Sequence, residues 1–159
     1  PVHISGTPSI RIKVASSQPA VNLSVWLVSL PWKKGGRTND NLISRGWADP
    51  QNHESLRESE RLEPGKFYKL NFDFQPDDQV IPRGQRIGLM IFSSDKDFTL
   101  WPKPGTELTI DLDATSLELP VVGGLKALRR ATTPRRRRLS LPGMPIHHPL
   151  PRTNRSGGF

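Results

Sequence analysis

The chain has no cysteine among its 159 residues, which excludes disulfides, thiolate catalysis and cysteine-ligated zinc and leaves the redox compartment undetermined. It has no apolar run near the roughly 20 residues that cross a bilayer, and its amino terminus lacks a charged-then-apolar leader pattern. The expectation is a soluble chain with no membrane partner. Acids are missing from one end only. Residues 1–124 carry 14 Lys and Arg against 15 Asp and Glu, whereas residues 125–159 carry 9 basic residues and no acid. The pI of 10.4 therefore belongs to the tail, and the charge-balanced body gives no reason to expect nucleic acid as its partner. Methionine is scarce, Met90 and Met144 being the only two in a chain that opens on Pro1; the expectation is a piece of a longer protein.

What is present is strand pattern. In SIRIKV (9–14) Ile10, Ile12 and Val14 alternate with Arg11 and Lys13, the period of a half-buried strand. NLSVWLVSL (22–30) is apolar on both faces, and Trp26 is expected in the core. PWKKGGRTNDN (31–41) is a Gly-rich charged loop leading to LISRGW (42–47). DPQNHESLRESERL (49–62), bounded by Asp49-Pro50 and Pro64-Gly65, reads as an ordered loop, and Pro64-Gly65 fits the centre of a type II turn. Tyr68, Leu70, Phe72 and Phe74 then alternate with Lys69, Asn71 and Asp73. RIGLMIF (86–92) is the most apolar stretch, with Ile87, Leu89 and Ile91 opposed by Gly88, Met90 and Phe92, and reads as a central strand covered on both sides. ELTIDLD (107–113) and Leu117, Leu119 and Val121 close the series. Seven to nine short strands without a long helical period predict an all-β fold, an antiparallel jelly-roll-like β-sandwich of galactose-binding type, over residues 1–124. Residues 125–159, with five prolines and the Arg135 to Arg138 run, read as a disordered basic tail.

Chemistry finds little support. Nucleophilic hydrolysis needs an exposed Ser or Thr, a His base and an acid to orient it, and no G-x-S-x-G elbow is present. His53 reads as a loop histidine bonding its neighbours, while His147 and His148 fall in the tail. Carboxylates cluster at Asp73, Asp77 and Asp78, at Asp95 and Asp97, and at Asp111 and Asp113, but match no calcium loop. No catalytic, metal or cofactor-binding residue is assigned. Trp32, Trp47 and Trp101 sit at strand or loop margins, where a sugar platform and an interdomain contact look alike. The Arg135 to Arg138 run has no interleaved aromatic to stack bases, so a solvated tail is the simpler reading.

Five segments in order, SGTPSIRIKV (5–14), RGWADPQNHESL (45–56), EPGKFYKLNFDFQP (63–76), IPRGQRIGLMIFSSD (81–95) and ELPVVGG (118–124), resemble the carboxy-terminal β-domain of the X-prolyl dipeptidyl-peptidase and cocaine esterase group of serine hydrolases. The resemblance implies a jelly roll packed on an α/β-hydrolase core that carries the nucleophile, acid and histidine, none of which matches a residue here. It also implies a domain that begins upstream of Pro1, leaving a missing strand and an exposed sheet edge, and that ends near Gly124.

The reading is thus a non-catalytic domain of a serine hydrolase, with release of X-Pro dipeptides or cleavage of ester and acyl bonds as the parent activity. The hydrolase core is its expected partner, a homo-oligomer stays open, and no cofactor is implied. The docking contacts are placed in two loops, Arg45, Trp47 and His53 in one and Asp95, Asp97, Phe98 and Trp101 in the other. The alternatives are a stand-alone carbohydrate-binding jelly roll and a nucleic-acid binder acting through the basic tail.

Overall fold

A computed structural model describes residues 1–133, so Arg135 to Arg138 and His147-His148 lie outside the described residues. Among the described residues nine strands form, and their pairings are all antiparallel. The organising strand of one sheet is β2 (Ser9–Ser16), whose alternation buries Ile10, Ile12 and Val14. It pairs along one edge with β5 (Phe67–Asp73), Ile10 opposite Phe72 and Ile12 opposite Leu70. Its other edge is shared by β8 (Leu108–Ile110) and β9 (Ser116–Glu118).

The facing sheet is three-stranded, with β3 (Leu23–Leu30) between β4 (Leu42–Ala48) and β7 (Arg86–Phe92). Leu23, Val25 and Leu27 of β3 are wholly buried against Ile10, Ile12 and Val14. Full burial of each such side chain contributes about 1.5–3 kcal/mol, so this inner layer supplies most of what holds the sandwich shut. A bulge between Leu27 and Val28 shifts the β3–β4 register. The ribbon of β1 (Val2–Gly6) and β6 (Asp77–Ile81) closes one side, with Ile4 and Ile81 in the same core. A smaller cluster of Val21, Leu62 and Tyr68 pins the 49–66 loop, where the Tyr68 hydroxyl accepts the Glu63 N–H at 2.8 Å. The chain reverses at Pro64-Gly65 with Gly65 at φ +81° and Lys66 N–H bonded to Glu63 C=O, as a type II turn requires.

Three expectations are corrected. The strand at 86–92 pairs only with β3 among the described residues, so it is an edge strand and all of Ile87–Phe92 is half-buried; its apolar outer face belongs to a surface cluster rather than to a second covering layer. Trp26 lies on that outer face, not in the core, because the parity that sends Val25 and Leu27 inward sends their neighbour outward. Order also continues past Gly124. Residues Gly124–Thr132 form helix α1, started by Gly123 and Gly124 at positive φ, and Leu128 and Ala131 line one groove with Leu117 and Leu119. A stripe of small and apolar residues between Lys126, Arg129 and Arg130 is enough to seat one amphipathic turn after another. Strands β1 and β6 were not anticipated from the sequence.

Candidate functional site

The described residues bring one notable constellation together, on the outer face of the β4–β3–β7 sheet. Register builds it. Trp26 stands opposite Arg45 on one side and Met90 on the other, and in the next row Ser24 stands between Trp47 and Phe92. Trp26 and Phe92 meet edge to face at 5.3 Å, the arrangement the ring quadrupole favours.

The chain leaving β7 then folds back over these rows. A turn is closed at Asp95, whose C=O accepts the N–H groups of Phe98 at 3.0 Å and Thr99 at 2.7 Å. That turn points the Asp95 carboxylate inward and lays the Phe98 ring over Trp47, centroids 5.1 Å apart. Asp95 is only 7% exposed, and its Oδ2 accepts both indole N–H groups, Trp26 Nε1 at 3.1 Å and Trp47 Nε1 at 3.2 Å. A buried carboxylate needs such donors to offset lost hydration. One oxygen thereby fixes two indoles and, through the turn, a third ring.

Arg45 completes the cluster. Its guanidinium carbon lies 4.6 Å from the Trp26 centroid and 4.9 Å from that of Phe98, a cation within reach of two aromatic rings. Its Nη2 donates to Asn39 Oδ1 at 2.9 Å, while its Nε is buried without an acceptor. The Ser24 hydroxyl beneath the rings also lacks a partner.

Of the seven residues expected in the two loops, Arg45, Trp47, Asp95 and Phe98 form this single cluster. Asp97 is exposed on the same turn. His53 sits apart, its Nδ1 at 3.2 Å from Pro50 C=O and its ring edge-on to Tyr68 at 4.6 Å. Trp101, 66% exposed, walls a separate cleft of about 280 Å³ with Asn22, Asp49, Gln51 and Lys103. Trp26, Met90 and Phe92 were missed as site residues. The available signal was strand parity, which opposes Trp26 to Val25 and Phe92 to Ile91.

The electrostatics elsewhere are those of surface pairs. The Asp78 carboxyl is held below its ordinary value by its hydrogen bond with His3 Nε2, 2.6 Å from Oδ1, and Asp111 is lowered in the same way by Lys13 Nζ at 2.7 Å. Among the described residues no group of three or more His, Cys, Asp or Glu is gathered as metal ligands are. The cluster offers aromatic surface and one cation, the chemistry of contact rather than of bond cleavage.

Residues 1–138 match the family described as the X-Pro dipeptidyl-peptidase C-terminal non-catalytic domain, and the chain belongs to that family. The match runs beyond Gly124, where the sequence had placed the domain's end. A "Putative Xaa-Pro dipeptidyl-peptidase" of Rhodopirellula baltica is 66% identical over 125 residues, covering 77% of this chain and 20% of that protein. The chain thus spans about a fifth of the curated relatives it matches. Among solved structures, an alpha-amino acid ester hydrolase superposes with a TM-score of 0.60 at 16% identity, over 76% of this chain and 24% of the other. A CocE/NonD family hydrolase of Staphylococcus aureus does so with a TM-score of 0.55 at 14% identity, over 76% and 28%. At such identities the likeness is one of fold.

Proposed function

We propose that the chain is the docking domain of a serine hydrolase of X-Pro dipeptidyl-peptidase type, packed on the parent's α/β-hydrolase core through the aromatic face of the β4–β3–β7 sheet. The observation that carries this is the family match to a non-catalytic domain, together with a span of about a fifth of the relatives' length. Catalysis then resides in the remaining four-fifths, and the domain contributes stability and part of the wall along which substrate approaches. The parent reaction is release of X-Pro dipeptides from free amino termini, with ester or acyl cleavage as its chemical neighbour.

The aromatic face supports the reading. Phe98, on the Asp95 turn over Trp47, is 52% exposed. A bulky exposed ring next to a buried hydrogen-bonded anchor has the make-up of an interface centre.

The test is a chimera in which this chain replaces the matched 125 residues of the Rhodopirellula baltica relative. It should cleave Gly-Pro and Ala-Pro substrates, and Trp47→Ser with Phe98→Ser should lower its activity and loosen the joint. The isolated chain should be inactive. Cleavage by the chain alone, abolished by a serine-directed inhibitor, would overturn the assignment; so would a chimera indifferent to the double substitution.

A further inference from the structure

Arg45 is the one charged group of the aromatic cluster whose charge is not spent within it. Asp95, the cluster's anion, uses Oδ2 on two indole N–H groups. No ion pair of Arg45 occurs among the described residues, which is true of most Lys and Arg there; what sets Arg45 apart is that two aromatic rings pack on its guanidinium and its Nε is buried. A neutral amide oxygen, that of Asn39, is the only acceptor its guanidinium meets there. The two ring contacts and the Nη2 bond to Asn39 restrict the plane of the guanidinium, and its Nη nitrogens are the donors left for a further partner. A planar fork whose rotamers are already restricted loses little entropy on forming further hydrogen bonds. Partial desolvation by the rings strengthens its attraction for an anion.

We infer that the Nη edge of Arg45 receives a carboxylate, an Asp or Glu side chain on the surface of the parent's catalytic core, at the centre of the docked aromatic face. This rests on the docking reading above and adds the chemistry of its central contact. The occluded Nε excludes a fork engaging that nitrogen, so the carboxylate approaches end-on and competes with or bridges to Asn39. Trp47 and Phe98 then form the apolar ring that excludes water around the pair. The same arrangement explains why an arginine stands where a lysine would serve as well for solubility. A lysine offers neither the flat faces for the rings nor two donors on one edge.

The experiment uses the same chimera with a protease site at the junction, folded intact and cut afterwards, so that both parts form together before their affinity is measured. The uncut wild type and its Arg45→Gln and Arg45→Lys variants are compared by near-ultraviolet circular dichroism to show that the aromatic cluster persists. Once cut, Arg45→Gln should raise the dissociation constant at least about tenfold, as expected for losing one partner of a desolvated charge pair. Arg45→Lys should fall between. Raising the salt concentration should weaken the wild-type complex more steeply than the Arg45→Gln complex. An Arg45→Gln dissociation constant and salt slope equal to those of the wild type would overturn the carboxylate contact while leaving docking intact. If the cut wild-type parts separated without measurable affinity, docking itself would fall, and this contact with it.

Discussion

Removing the Asp95 carboxylate is the most direct probe of the aromatic cluster. Asp95→Ala leaves Trp26 Nε1 and Trp47 Nε1 without the acceptor they share at 3.1 and 3.2 Å. A hydrogen bond to a charged acceptor contributes about 1.5–3 kcal/mol, and two donors on one oxygen add up to less than twice that. Relief of the carboxylate's desolvation offsets part of the loss. The net cost should be about 2–4 kcal/mol, a large share of a stability that is typically about 5–15 kcal/mol. At about 4 °C per kcal/mol the midpoint of thermal unfolding should fall roughly 8–16 °C. Asp95→Asn keeps the shape and one oxygen, now neutral, and should lose about half as much. The assay is urea unfolding followed by tryptophan fluorescence, in which the native spectrum of Asp95→Ala should also shift to the red as both indoles gain water. An Asp95→Ala protein within about 0.5 kcal/mol of the wild type would refute the argument, because the two indole bonds would then not hold the face together.

The other predictions concern packing and pH. A Cβ at Gly46 would sit 3.0 Å from Phe72 Cε2 and 3.2 Å from the Asp73 carbonyl oxygen, so Gly46→Ala should cost about 1–3 kcal/mol by overpacking, read as a lowered urea midpoint at unchanged slope. Phe72→Leu should recover part of that loss in the double variant, since Phe72 is the nearer obstacle. Asp111, lowered by its bond to Lys13, binds its proton less readily folded than unfolded. Its contribution is therefore full above the ordinary carboxylate value of 3.8 and fades as pH drops from there through its folded value. Asp111→Asn should flatten that acid limb without changing stability near neutrality by more than an exposed pair is worth; an unchanged acid limb would contradict the linkage.

Much of the sandwich was legible because alternation is a local property. The inward set Ile10, Ile12 and Val14, and the set Tyr68, Leu70 and Phe74, are the buried ones, and a residue's parity needs no knowledge of its neighbours in space. Strand order is not local. Ile87 to Phe92 has the composition of a central strand, yet its place beside β3 alone depends on which other segments pair, which composition does not encode. Trp26 was misplaced for a related reason: a tryptophan within an apolar run satisfies either face, and only the Asp95 carboxylate arriving from 69 residues away makes the outer one polar enough for its N–H. The acids of Asp77 and Asp78 concealed β6, since an edge ribbon with His3 opposite Val80 tolerates charge that a covered strand would not. In α1 the run of basic residues drew attention to charge and away from the spacing of Leu128 and Ala131.

The closure of β2 carries a consequence for how the domain is made. Its first half pairs with β9, Ile10 opposite Leu117, and its second half with β8, Val14 opposite Ile110. During synthesis Ile10, Ile12 and Val14 therefore leave the ribosome about a hundred residues before the strands that complete their sheet, at a pace of about 5–20 residues per second. Local pairing of β3 with β4 comes early, but the layer facing it is finished last. Folding of this architecture is set by long-range closure rather than by its turns, which places it among the slower topologies. Until Leu117 emerges, half of that edge of β2 stays without the partner strand that completes the sheet.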